Sequence, residues 1–336
     1  MPPQPVLREV EHEITVSAPA ATVYRLIAEV DNWPRIYPRI VHAEQVPEGG
    51  GRELLLIWGT TADASFEHWT ALRTLDPQRL RITFRPTGFG PPLASMDGGW
   101  IVEPLSRAES RVRLLHAFSL VDDDPGEFER IDSAVDRNSR TELAELKKSV
   151  EAAYLAEEFT FSFEDTARIA GRAEDVYDFV NEAPLWAERL PGVTEVRLDE
   201  DKPGLQRLET VTRAPDGSTH RAVSHRVCLP HRRILHRQVT LPALLSLHTG
   251  SWTFETPADD TGGVVASARH TVVLNTANIT AVLGPDATVA DARAHVREAI
   301  GASSRAVLAQ AGRYAERGRR AGPAARTPHP RSGRRT

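Results

Sequence analysis

The chain has 336 residues, a length that suits two domains of ordinary size. Hydrophobic residues make up 40% and charged residues 26%, the balance of a soluble globular protein, and no apolar run approaches the roughly 18 residues that a membrane crossing needs. A net charge of -5 argues against nucleic acid as the main partner, and the single cysteine, Cys228, excludes an internal disulfide framework and points to a reducing, cytoplasmic setting.

The opening "MPPQPVLREVEHE" lacks the apolar core of a secretory signal. From Arg8, "REVEHEITVSA" alternates as a strand does. Pro19 and Ala20 then open a short helix, with Val23, Leu26, Ile27 and Val30 at helical spacing. A loop carrying Trp33, Tyr37 and Pro38 follows. Several strands come next, separated by the turn signals "EGGGR", "LDPQR", "TGFGPP" and "LSRAES". The "EGGG" of Glu48 to Gly51 reads as a turn and not as a phosphate cradle. A long helix, "EFERIDSAVDRNSRTELAELKKSVEAAY", ends this half. After a short join near "AAYLAEEF", the order repeats from the strand "EFTFSFEDTARIAG" to the helix "TVADARAHVREAIGASSRAVLAQAGRYAE".

The repetition is residue by residue. An offset of 153 carries Val23-Tyr24 onto Val176-Tyr177, Trp33 onto Trp186, Pro38 onto Pro191, Arg73 onto Arg226 and Pro77 onto Pro230. With small shifts, "GGWIVEP" (98–104) falls on "GSWTFET" (250–256), and "NSRTELA" (138–144) on "SSRAVLA" (303–309). The pattern predicts two homologous domains, 8–152 and 156–318. Residues 319–336, rich in Arg and Pro, hold too little apolar surface to fold and are expected to form a disordered, solubilising tail. The fold class is α+β: two tandem helix-grip domains, each a curved antiparallel sheet around a long C-terminal helix with an internal pocket.

The loop "WPRIYP", the strand "HWTALR", the "GGW" strand and the final "NSRTELA" helix resemble the aromatase/cyclases of bacterial aromatic (type II) polyketide synthesis, in their two-domain form, within the START/Bet v 1-like superfamily. "AVSHRV" (222–227) is similar to the matching strand of single-domain members. The resemblance spans about residues 10–315. It implies a poly-β-ketone tethered to an acyl carrier protein, action after a ketoreductase alongside a minimal synthase, and no metal or organic cofactor. The expected reaction is aldol cyclisation, dehydration and aromatisation of the first ring. The alternatives are a non-catalytic START-like carrier of hydrophobic ligands and a chaperone that only folds the polyketide.

Such chemistry needs chain positioning, stabilisation of an enolate oxygen and proton transfer. Strand alternation places Glu67, Trp69, Ala71 and Arg73 on one face, and His220, Ala222, Ser224 and Arg226 on the matching one. Arg73 and Arg226 are therefore candidate enolate stabilisers, the role that the resemblance also implies for this position; the bland alternative is pairing with a carboxylate. Ser224, two residues before Arg226, is a candidate to move a proton or hold a water; the first half has Ala71 there. Tyr37 is a candidate proton donor, and Leu190 replaces it in the second half. Trp33, Trp69 and Trp100 are candidates to line the first pocket, Trp186 and Trp252 the second; ordinary core packing is the alternative for each. Arg85 and Arg237 are candidate second cations, although alternation with Leu80, Ile82 and Phe84 would turn Arg85 outward. Asn138 and Arg140 are candidates to reach the cavity from the long helix. The twelve histidines show no zinc-ligand spacing, no nucleophile-elbow or nucleotide-binding motif is present, and Cys228 reads as a packed thiol. The first domain, with Arg73 and four aromatics, is the expected main catalytic pocket.

Overall fold

The computed structural model describes residues 7–61, 65–88, 90–122, 124–213, 217–257 and 262–321. It divides into two compact units, Met1–Thr160 and Phe161–Thr336. The first contains β1 (Arg8–Val16), α1 (Ala20–Ala28), α2 (Trp33–Ile36), β2 (Ile40–Gly49), β3 (Arg52–Thr60), β4 (Phe66–Asp76), β5 (Arg81–Thr87), β6 (Leu93–Pro104), β7 (Ser110–Leu120) and α3 (Pro125–Leu155). The second repeats the order with β8 (Thr160–Ile169), α4 (Ala173–Asn181), α5 (Trp186–Arg189), β9 (Val193–Lys202), β10 (Leu205–Arg213), β11 (Thr219–Leu229), β12 (Arg233–Gln238), β13 (Leu245–Glu255) and β14 (Val264–Leu274). It then adds a short α6 (Ile279–Leu283), which the sequence pattern did not announce, before α7 (Val289–Ala321). Each unit is one antiparallel seven-stranded sheet, ordered β1-β7-β6-β5-β4-β3-β2 and β8-β14-β13-β12-β11-β10-β9. The α+β reading with two tandem domains holds. The tail expected over 319–336 begins inside α7, whose backbone runs to Ala321; residues 322–336 lie outside the described residues.

The two long helices start where local chemistry permits. Asp124 accepts from the backbone N–H of Gly126 at 2.8 Å and of Glu127 at 3.3 Å, ahead of Pro125 in the first turn of α3. Thr288 and Asp291 bond reciprocally at the head of α7: each backbone N–H reaches the other's side-chain oxygen, at 2.9 and 3.2 Å. α3 then turns Val135, Ser139, Leu143, Leu146 and Val150 inward. Between β2 and β3, Gly49, Gly50 and Gly51 take φ of 83°, 63° and 75°, a left-handed run suited to glycine.

The short helices are finished by distant side chains. α1 ends at Ala28, and its last carbonyls need partners. Trp33 Nε1 donates to Ile27 O at 2.8 Å, and Arg73 donates to Ile27 O at 3.4 Å and Ala28 O at 2.6 Å. The second unit repeats the device. Trp186 Nε1 donates to Phe179 O at 3.2 Å, and Arg226 Nη2 to Val180 O at 2.8 Å. The turn that follows each short helix thus brings the chain's own indole back to cap it.

Strand and helix are also tied by charge. In the second unit the buried Asp165 on β8 accepts from Arg297 at 2.9 and 3.1 Å and from Arg305 at 3.2 Å, both on α7. Burial alone would raise its carboxyl, but the two arginine hydrogen bonds outweigh that and hold it low. Its stabilising contribution is therefore present above the unfolded carboxylate range and lost as pH falls through the lower folded value. Asp165→Asn is expected to cost the second domain about 2 kcal/mol, discounted for half-exposed arginines, in a urea melt at pH 7. At pH 3 the gap should narrow.

Candidate functional site

The inner face of the first sheet and the facing stretch of α3 line a partly open cavity of about 310 Å³. β4 contributes Trp69, Ala71 and Arg73, β5 contributes Ile82 and Phe84, and β6 contributes Trp100. Trp33 and Tyr37 lie at the α2 side, packed edge to face with centroids 5.6 Å apart. Glu142 and Glu145 approach from α3. The walls are mainly apolar, so a charge inside meets little water.

Arg73 is 3% exposed. Nε donates to Glu53 Oε2 at 2.8 Å, Nη1 to Ile27 O, and Nη2 to Ala28 O and to Gln45 Oε1 at 3.1 Å. Four of the five guanidinium N–H groups are thus committed, and its Cζ stands 5.8 Å from the centre of the Trp33 ring. Burial pulls its pKa down while Glu53 opposes the change. Arg73 lines the cavity, yet it also pairs with a carboxylate and caps a helix.

Glu142 is a cavity group that the sequence pattern hid. Burial, with Glu145 adding negative charge nearby, raises its carboxyl to about 7. Near neutral pH it is an acid that can give or take a proton. Burial also raises the Tyr37 phenol well above its usual value, so it stays protonated and able to donate. His116 on β7 is a second hidden group: it bonds to Ser139 Oγ on α3 at 3.2 Å, and burial lowers its pKa to about 4.

Three candidates fall outside this site. Arg85 points outward from β5, its side chain 64% exposed, and binds Asp97 at 2.6 Å. Ile82, Phe84 and Pro86 hold the inner parity of that strand, so Arg85 cannot share it. Asn138 is exposed on α3, because the neighbouring Ser139 occupies the inward turn. Arg140 likewise faces out, paired with Asp136.

In the second unit Arg226 is also 3% exposed. Its strand partner is Gln206, where Arg73 has Glu53. Gln206 instead bonds Glu200 at 2.8 Å and accepts from the Cys228 thiol at 3.4 Å. Among the described residues, Arg226 Nη1 is buried without a hydrogen-bond partner. Trp186 stands 5.4 Å from the guanidinium carbon. Ser224 is half-buried on the same strand, two residues away and of the same parity. Trp252 is buried in the core, its strand partners Ile234 and Ala268. Three histidines that showed no ligand spacing, His236, His248 and His270, come together on β12, β13 and β14. Arg237 is half-buried on β12, at the parity opposite to His236. Among the described residues no helix is long and apolar enough to cross a membrane.

Residues 8–151 match the family described as polyketide cyclase / dehydrase and lipid transport, and residues 169–295 match a second family of the same description. The granaticin polyketide synthase bifunctional cyclase/dehydratase of Streptomyces virginiae is 48% identical over 307 residues, 91% of this chain and 99% of that one. The actinorhodin polyketide synthase bifunctional cyclase/dehydratase of Streptomyces coelicolor is 40% identical over 322 residues, 92% and 97% of the two chains. The crystal structure of the di-domain ARO/CYC BexL from the BE-7585A biosynthetic pathway is similar at a TM-score of 0.84 and 54% identity, over 92% of this chain and 99% of that one. A tandem pair of helix-grip domains, each matching a cyclase/dehydrase family, and relatives aligned over nearly their whole length lead to one conclusion: the chain belongs to the two-domain polyketide aromatase/cyclases.

Proposed function

We propose that the chain cyclises and dehydrates a poly-β-ketone tethered to an acyl carrier protein, aromatising its first ring after a ketoreductase has reduced one carbonyl. The observation that carries this reading is the first-domain cavity, where apolar and aromatic walls surround the Arg73 guanidinium, the Tyr37 phenol and the Glu142 carboxyl, raised to about 7. The relatives named as polyketide synthase bifunctional cyclase/dehydratases support it. In this reading the minimal synthase and ketoreductase are working partners and the setting is the cytoplasm.

The functional units are 8–152, the main catalytic domain, and 156–318. The uncommitted N–H of Arg73 polarises a carbonyl or enolate oxygen. Tyr37 and Glu142 move protons to the departing hydroxyl and from carbon. Trp33, Trp69 and Trp100 hold the nascent ring and keep water out. In the second domain Arg226 and Ser224 are the reactive pair, with Trp186 beside them.

The test is reconstitution of the full chain with the minimal synthase and ketoreductase. Tyr37→Phe is expected to slow formation of the aromatised product about 100-fold and to divert material to uncyclised shunt products. Unchanged rate and product pattern in both Tyr37→Phe and Glu142→Gln would mean that the cavity only shapes the chain, and the catalytic reading would be abandoned.

A further inference from the structure

Of the three clustered histidines, His236 and His248 stand where the first domain has other residues, and His270 matches a histidine there. On β12, His236 stands opposite Arg226; on β5, Phe84 stands opposite Arg73. Gly250 links His236 to His270 across the sheet, as Gly98 links Phe84 to His116. Two residues before the glycine, β13 has His248 and β6 has Met96. So the first domain has Phe, Met and His at three inner-face points, and the second has three histidines. The glycine is needed here: a Cβ at position 250 would come within 2.5 Å of the His236 ring.

The surrounding hydrogen bonds are compatible with both inward nitrogens being bare. Ser304 Oγ lies 3.2 Å from Ile300 O and 2.7 Å from His270 Nε2; with its hydrogen on the carbonyl it accepts from His270 Nε2. Gln238 Oε1 accepts from His248 Nδ1 at 2.5 Å. In that arrangement both outward nitrogens carry hydrogen. The inward pair, His248 Nε2 and His270 Nδ1, then carry lone pairs that face each other at 3.0 Å. His236 offers a further nitrogen, and the three candidate ligand atoms lie within 4.8 Å of one another. Two bare imidazole nitrogens side by side, with a third in reach, are the arrangement that a metal ion takes up.

We propose that His236, His248 and His270 form a three-nitrogen site for a divalent transition-metal ion of the zinc class. Neutral imidazoles are the ligating form, and the Gln238 and Ser304 bonds supply the outer shell that orients such ligands. Metal–nitrogen bonds of about 2.0–2.1 Å set nitrogens roughly 3.4 Å apart, so the widest spacing closes by rotation of the His236 ring. The fourth position falls to a water or a carbonyl oxygen. This goes beyond the cyclase reading and stands without it.

The experiment uses the full-length, untagged chain, incubated with zinc chloride, dialysed, and assayed for metal by mass spectrometry. One retained zinc ion per chain is expected, and cobalt in its place should give the visible absorption of a tetrahedral site. His236→Phe and His248→Met each install the first domain's residue and should each weaken zinc binding at least 100-fold while circular dichroism stays native. Ser304→Ala should weaken it about 10- to 100-fold. The proposal is overturned if no zinc is retained at micromolar concentration. It is also overturned if the His236→Phe/His248→Met double variant retains the metal as wild type does. A nitrogen NMR spectrum at pH 7 showing a proton shared between His248 and His270 in zinc-treated protein would overturn it as well.

Discussion

Arg73→Ala is expected to lower the stability of the first domain by about 3–5 kcal/mol, a drop of roughly 10 °C in its melting temperature. The change removes the cation that Glu53 faces and the donor that finishes α1. Glu53 would stay largely buried beside an empty space, which is the costly way to break such a pair. Arg73→Ala/Glu53→Gln should recover part of the loss, since Gln206 is the second domain's own answer at that point. Arg226→Ala should cost less, because no carboxylate is stranded there. Thermal melts of the full chain read all three. In reconstituted synthase, Arg73→Ala is expected to give shunt products, and the double variant tells fold from chemistry. If it melts like wild type but still fails to aromatise, Arg73 acts on substrate. A single variant that melts like wild type would remove the helix-capping account.

Glu142→Gln is expected to change the pH behaviour of both stability and rate. The folded carboxyl titrates at about 7, above its usual 4.5. A raised carboxyl favours the folded state while it is protonated. That contribution is complete below the unfolded value and is lost as pH rises through about 7. Wild type should therefore lose melting temperature between pH 5 and 8, and Glu142→Gln should lose less, the two starting level at pH 5. In the rate profile, wild type should show a limb with an apparent pKa near 7. The variant should lack the limb and run about 100-fold slower. A flat wild-type profile across pH 6–8 would remove Glu142 from the proton path.

Period-two alternation alone put Trp69, Ala71 and Arg73 on one face, and the cavity contains all three. The same rule turned Arg85 outward; its charge kept it a candidate, and parity decided. On α3 the difference between Asn138 and Ser139 is one residue, or 100° of helix, and the apolar stripe through Val135 and Leu143 assigns the inward place to Ser139. What alternation cannot supply is register between strands. Glu53 opposes Arg73 from 20 residues away, and Gln206 opposes Arg226. The three histidines lie on separate strands, so no linear spacing announces them. Glu142 was invisible for another reason: a carboxylate on a charged helix reads as solvated until the facing wall is known.

The indole and guanidinium that close α1 recur at α4 and answer the same backbone need in both copies. A duplicated domain is a controlled comparison made by evolution: whatever both copies retain includes what neither can fold without. Agreement between the halves therefore marks the scaffold first. Specialisation is to be sought where they have parted, at Tyr37 and Leu190, Glu53 and Gln206, Trp69 and Ala222, Ala71 and Ser224, Phe84 and His236. Exchanging these pairs between domains, with the Trp and Arg caps left in place, would transplant chemistry without disturbing architecture.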